Sequence, residues 1–157
     1  KKLIGRRSYL PAGAETEIQT SPFYENCTVN LIADDKPKTL NLQNARCVFR
    51  MKASKLQDGW ATLEFLPELH HGEPSMRAQA SGLAWEYKQT QKVQALFDQR
   101  FTIDLNIGEM AVVSVEPEVV GSVGQHFFMS AEPDCSVQRL LVIRLADLSH
   151  NEATYAK

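Results

Sequence analysis

The sequence predicts an all-β chain: a single antiparallel sandwich or barrel-like domain with an N-terminal arm and at most one short helix. Three observations carry that prediction. In QRFTIDLNIGEMAVVSVEP (99–117), Phe101, Ile103, Leu105 and Ile107 alternate with Thr102, Asp104 and Asn106, the period of two of a half-buried strand. Turn signals such as Asp58-Gly59 and Gly108-Glu109 recur roughly every 8–12 residues between short apolar runs. Helical spacing is confined to one stretch, 92–99, where Val93, Leu96 and Phe97 stand at i, i+3, i+4.

The elements follow in order. Residues 1–13 read as an N-terminal arm closing on Leu10-Pro11-Ala12-Gly13. TEIQTS (16–21) is a first short strand, stopped by Pro22. CTVNLIA (27–33) is the next, and DDKPK supplies an exposed turn before TLNL (39–42) pairs back. RCVFRMKA (46–53) sets Cys47, Phe49 and Met51 against Arg46, Arg50 and Lys52, with Val48 on the charged side. Asp58-Gly59 then turns the chain into WATLEFL (60–66), with Ala61, Leu63 and Phe65 on one face and Pro67 as its stop.

The two prolines and two glycines of 67–82 predict a long loop. LAWEYKQ (83–89) is a strand and KVQALFDQ (92–99) a short helix or turn. Gly108-Glu109 is expected to fold 101–107 against 110–115 as a hairpin, the second strand being buried on both faces. A glycine-rich turn leads to a short strand at 125–130, and QRLLVIRLADL (138–148) is the last strand before the polar tail 149–157. Phe101, Ile103, Leu105 and Ile107 are expected to share one buried face with Leu141, Ile143 and Leu145. Trp60 and Trp85 are expected to cap the ends of the sheet core. The β-domain is thus 14–148, with no internal repeat and no composition shift inside it.

With 157 residues, 43% of them hydrophobic and 23% charged, the chain can bury a core without disulfides or metals. Seventeen basic against nineteen acidic residues give a net charge of −2, which leaves no basic field for a nucleic-acid backbone. No apolar run reaches the roughly 18 residues of a transmembrane helix. KKLIGRRSYLPAG has no apolar signal-peptide core, and a start at Lys1 is compatible with trimming.

Candidate chemistry is sparse. Cys27, Cys47 and Cys135 form no C-x-x-C pair; they read either as small buried thiols or, for Cys27 and Cys47, as a disulfide between neighbouring strands. Asn26-Cys27-Thr28 is formally a glycosylation sequon. His70 and His71, beside Glu68 and Glu73, are the one place where a metal or a His-dependent hydrolase would be sought. Adjacent residues of an extended chain point opposite ways, however, and no H-E-x-x-H or H-x-H spacing is present. No G-x-S-x-G, G-x-G-x-x-G or P-loop occurs, so no catalytic residue, metal or cofactor is assigned. His70, His71 and Glu73 remain as a ligand loop within 67–82. Phe127, Phe128 and Met129, apolar in a row, are either core or a patch for a partner.

From residue 47 to 145 the order of segments resembles the C-terminal β-domain of bacterial secretins, the multimeric outer-membrane rings of secretion and pilus systems. The resemblance rests on QDGWATLEFLPEL (57–69), FTIDLNIGEMAVVS (101–114), VGSVGQHFF (120–128) and RLLVIRL (139–145). The chain departs from the family in having no proline between 119 and 130 and none closing the last strand. The resemblance implies a non-enzymatic structural or assembly module of the bacterial cell envelope or periplasm. Such a module would contact copies of itself, as a homo-oligomer, or protein partners within a larger assembly. Segments 119–130 and 1–13 are its expected contacts, with no bilayer-spanning barrel inside one chain. The alternatives are a monomeric β-sandwich binding module using the 67–82 loop, and a His-dependent hydrolase.

Overall fold

The structure, a computed structural model, describes residues 5–33, 36–81, 84–116, 121–132 and 135–148; the side chains of 33, 77–81, 84–88 and 131–132 are outside the description. The fold is all-β: a curled antiparallel sheet that forms a half-barrel. Its spine is two strands of 22 residues, β3 (Lys36–Gln57) and β4 (Trp60–Ser81). They pair from Arg46↔His70 to Gln57↔Trp60 around Asp58-Gly59, where Gly59 takes a φ of +80° that a residue with a Cβ resists.

Each spine strand takes two partners in succession. β3 pairs with β2 (Tyr24–Ala33) over residues 36–45 and with β1 (Glu15–Gln19) over 48–52. Asn44, at φ +50°, lies next to that changeover, in a region Asn tolerates better than most residues. β4 pairs with β6 (Phe101–Asn106) over 60–65 and with β5 (Ala84–Ala95) from Glu68 onward.

The 67–82 loop expected from sequence is therefore wrong: residues 67–81 continue β4, and residue 82 lies outside the description. Pro67 interrupts nothing, because its carbonyl accepts from Leu96 N at 2.9 Å on the outer edge. Nitrogen and carbonyl of one strand residue face the same edge, so the missing N–H falls where β4 passes from β6 to β5. Gly72 and Pro74 sit in a bulge between the pairs His71↔Lys92 and Ser75↔Thr90. Residues 92–95 likewise belong to β5, and only Phe97–Gln99 form a 3-10 turn.

The main core gathers Phe49, Phe65 and Leu105 from the sheet with Phe127 and Phe128 from α1 (Val123–Phe128), the short helix. α1 replaces the strand expected at 125–130; Ser122 caps it by accepting from Gln125 N at 3.2 Å. Strand β8 (Met129–Glu132) follows and pairs with β9 (Cys135–Gln138). Phe127 and Phe128 are buried, with Phe127 4.6 Å from Phe49, and Met129 is half-buried, so these three are no exposed partner patch. Residues 121–128 are held within the chain: Asn30 N donates to Gly121 O and the His126 ring bonds Thr28 O at 3.0 Å.

β6 and β7 (Met110–Val113) do not form the expected hairpin. The turn is present, with Gly108 at φ +89°, but Gly108 N donates to Leu145 O at 2.7 Å and Leu145 N to Glu109 O at 3.2 Å. The chain thus leaves the turn in register with β10 (Leu141–Arg144), which pairs with β7 as a two-stranded ribbon. Phe101, Ile103, Leu105, Leu141, Ile143 and Leu145 all reach the core, whereas Ile107 is exposed. Trp60 is half-buried; the side chain of Trp85, residues 1–4 of the arm and the tail 149–157 lie outside the description.

Candidate functional site

Three places bear on function. The first is Glu68 and His70, two residues apart on β4 and so on one face of it. Both are almost fully buried, at 3% and 5% exposure. His70 Nε2 lies 2.9 Å from Glu68 Oε2, while Arg50 donates to Glu68 Oε1. Both carboxylate oxygens are engaged and the imidazole is closed to solvent, so this trio compensates a buried charge and gives a substrate no approach. The Glu68–His70 spacing was visible in the sequence, and Asp58-Gly59 announced the β3–β4 pairing; that β4 runs on past Pro67, which brings Glu68 beside Arg50, was not. Among the described residues no three of His, Cys, Asp and Glu converge as metal ligands.

The second place is the fork where β3 and β4 part. Gln91 Nε2 ties it by donating to Asn44 O at 2.7 Å and Gly72 O at 3.0 Å, and Asn44 Nδ2 donates to Glu73. His71 and Gly72 line a shallow cleft of about 570 Å³ with Asn26, Thr28, Asn41 and Gln43. Glu73 and Pro74 line a second cleft of about 490 Å³ with Phe23 and Arg46. The expected ligand residues therefore divide: His70 is buried in the charge cluster, and His71 and Glu73 face different clefts. Burial, then Lys92 and His70, hold His71 below the ordinary imidazole range, so its cleft wall is uncharged at neutral pH.

Cys27, on β2 at the fork, is half-buried, Cys47 on β3 is buried, and Cys135 on β9 is exposed; all three are free thiols. Burial pushes Cys47 up to about 12, with Cys27 adding to it and a hydrogen bond involving Ser21 opposing it. Such a thiol is protonated and unreactive.

The third place is the outer side of the β7–β10 ribbon. Ala111, Val113, Leu141 and Ile143 turn inward. Met110, Val112, Leu140 and Val142 turn outward, and all four are more than half exposed. Val112 stands directly across from Val142, and Met110 from Arg144. The expectation that 110–115 is buried on both faces fails here, because only one face has the core against it.

Fold and surface together define a class: an antiparallel β half-barrel carrying an apolar ribbon face. Searches against family models, curated proteins and solved structures found no match for the chain. No helix among the described residues is long and apolar enough to cross a membrane.

Proposed function

We propose that the chain is a non-enzymatic structural and assembly module that associates through its β-surface with copies of itself or with protein partners. The observation that carries this reading is the outward apolar face of the β7–β10 ribbon, a contiguous patch of the kind that marks interaction sites. The segment order shared with secretin β-domains supports the same role and suggests the bacterial cell envelope as its setting. The closed Glu68–His70 pair supports a role without a chemical step. Sedimentation equilibrium of the full chain over a wide concentration range tests the proposal. Self-association, or a stable complex with an envelope protein that Val112→Asp abolishes, is the expected outcome. A strict monomer that captures nothing through this face refutes it.

A second reading is a binding module at the fork, favoured by one observation: Asn26 and Gln43, paired through their backbones in β2–β3, line the 570 Å³ cleft with side-chain amides that make no hydrogen bond among the described residues. Unspent amides beside an uncharged imidazole suit a neutral polar ligand. Calorimetry with neutral oligosaccharides, repeated on Asn26→Ala/Gln43→Ala, distinguishes it, since the assembly reading predicts no heat in either titration.

A further inference from the structure

We propose that the outer face of the β7–β10 ribbon is a homotypic, two-fold interface in which Arg144 of each copy pairs with Glu116 of the other. This rests on the assembly reading above and specifies its partner, a second copy of this chain, and its symmetry.

Exposure along 110–116 and 140–146 alternates strictly, which sets two outward rows. One reads Met110, Val112, Ser114, Glu116; the antiparallel row beside it reads Arg144, Val142, Leu140. The face is therefore apolar in the middle, cationic at one end and anionic at the other. Arg144 and Glu116 are both exposed, and no ion pair among the described residues uses either. Glu109, an acid next to Met110 at the Arg144 end, has one carboxylate oxygen, Oε2, occupied by Asn106 N at 2.8 Å.

A face with unlike charges at its two ends and apolar residues between is complementary to itself when turned end for end. Consider a two-fold axis lying in the interface, perpendicular to the strands at the level of Val112 and Val142. Each valine then meets its own counterpart, Met110 covers Ser114, and Arg144 covers Leu140. Glu116 of the second copy then lies one strand across, roughly 5 Å, and about 7 Å along from Arg144. An arginine spans that offset, and the symmetry makes the pair twice. Without the end-for-end turn, two cations and two anions would face each other.

The patch is of the few-hundred-Å² class, so two of them bury less than the roughly 1,200 Å² of a standard stable complex. The interface is accordingly weak in free solution, and it strengthens when copies are held together in a larger array.

The test is sedimentation equilibrium of the full chain from about 1 µM to about 1 mM, on wild type, Arg144→Glu, Glu116→Arg and the double charge swap. Thermal melts of each variant confirm an unchanged fold, since both side chains are exposed. The expected result is a wild-type monomer–dimer equilibrium, weakened at least about tenfold by each single reversal and restored to within about threefold by the double swap. If wild type associates but the reversals change nothing, or the double swap fails to restore it, the two-fold interface is overturned while the assembly reading stands. A limiting mass above twice that of the chain overturns the closed dimer alone. A wild-type chain monomeric throughout overturns the interface, and capture of another protein then decides the assembly reading.

Discussion

The centre of the β3–β4 pair and the β7–β10 ribbon carry the same kind of sequence, strands with apolar residues on both faces, and the fold treats them oppositely. In β3–β4, Phe49 and Phe65 face the main core, and Val48 and Leu66 on the reverse face are buried as well. In the ribbon, Val113 and Ile143 reach the core, while Val112 and Val142 stand 62% and 52% exposed on the reverse. Two-sided apolarity thus does not by itself decide whether both faces of a strand are buried; the topology does. The centre of the β3–β4 pair is buried on its second face as well. The two-stranded β7–β10 ribbon leaves its second face exposed.

Truncating a buried side chain separates the two regions most strongly. Phe65, fully buried, stacks 5.0 Å from Phe101 and meets Phe49 edge-on at 6.0 Å, so Phe65→Ala is expected to cost about 3–5 kcal/mol in denaturant titration. Val112→Ala in the ribbon is expected to stay within about 0.5 kcal/mol, and a larger loss would mean that the outer face is covered within one chain. Glu68→Ala removes the carboxylate that both Arg50 and His70 bond, leaving Arg50 the longer contact to Glu15 at 3.7 Å. Because Arg50 is partly exposed and solvent-screened, the expected loss is about 2–3 kcal/mol, below that of a fully buried pair.

Smaller effects sharpen the picture around α1. A Cβ on Gly124 would lie 2.6 Å from a methyl of Val115, so Gly124→Ala is expected to cost about 1–3 kcal/mol by forcing the helix off the ribbon's root. His126 is held below the ordinary value of 6.5 by burial, partly offset by its bond to Thr28 O. A depressed folded value means that the folded state takes up this proton less readily than the unfolded chain. Its contribution is therefore present above the ordinary value and is lost as pH falls through the folded value. Denaturant midpoints should fall on mild acidification, and His126→Gln should flatten that limb; an unchanged slope would assign it to another group such as His71.

The strands around 15–19, 24–33, 101–106 and 141–144 were legible because alternation is a local property of each. Residues 67–81 were not. Pro67, Gly72 and Pro74 are loop signals by any local rule, and only the changeover from β6 to β5 and the bulge at 71–75 make them harmless inside a strand. Pairing was the other blind spot, since the Gly108 turn was visible while its bonds to Leu145 belong to a partner 37 positions away. The candidate surface was half legible: the two-sided apolarity of 110–115 could be read, but which side would lack a cover could not.

Whether that side becomes covered when chains meet can be read against a control within the molecule. Met110 on the ribbon and Met76 on β4 are 65% and 67% exposed, nearly equal targets for a diffusing oxidant. Hydroxyl-radical footprinting across a concentration series should show Met110 increasingly protected relative to Met76 as chains associate. A constant ratio of the two rates, up to concentrations where the mass has already risen, would contradict the claim that this face is the contact.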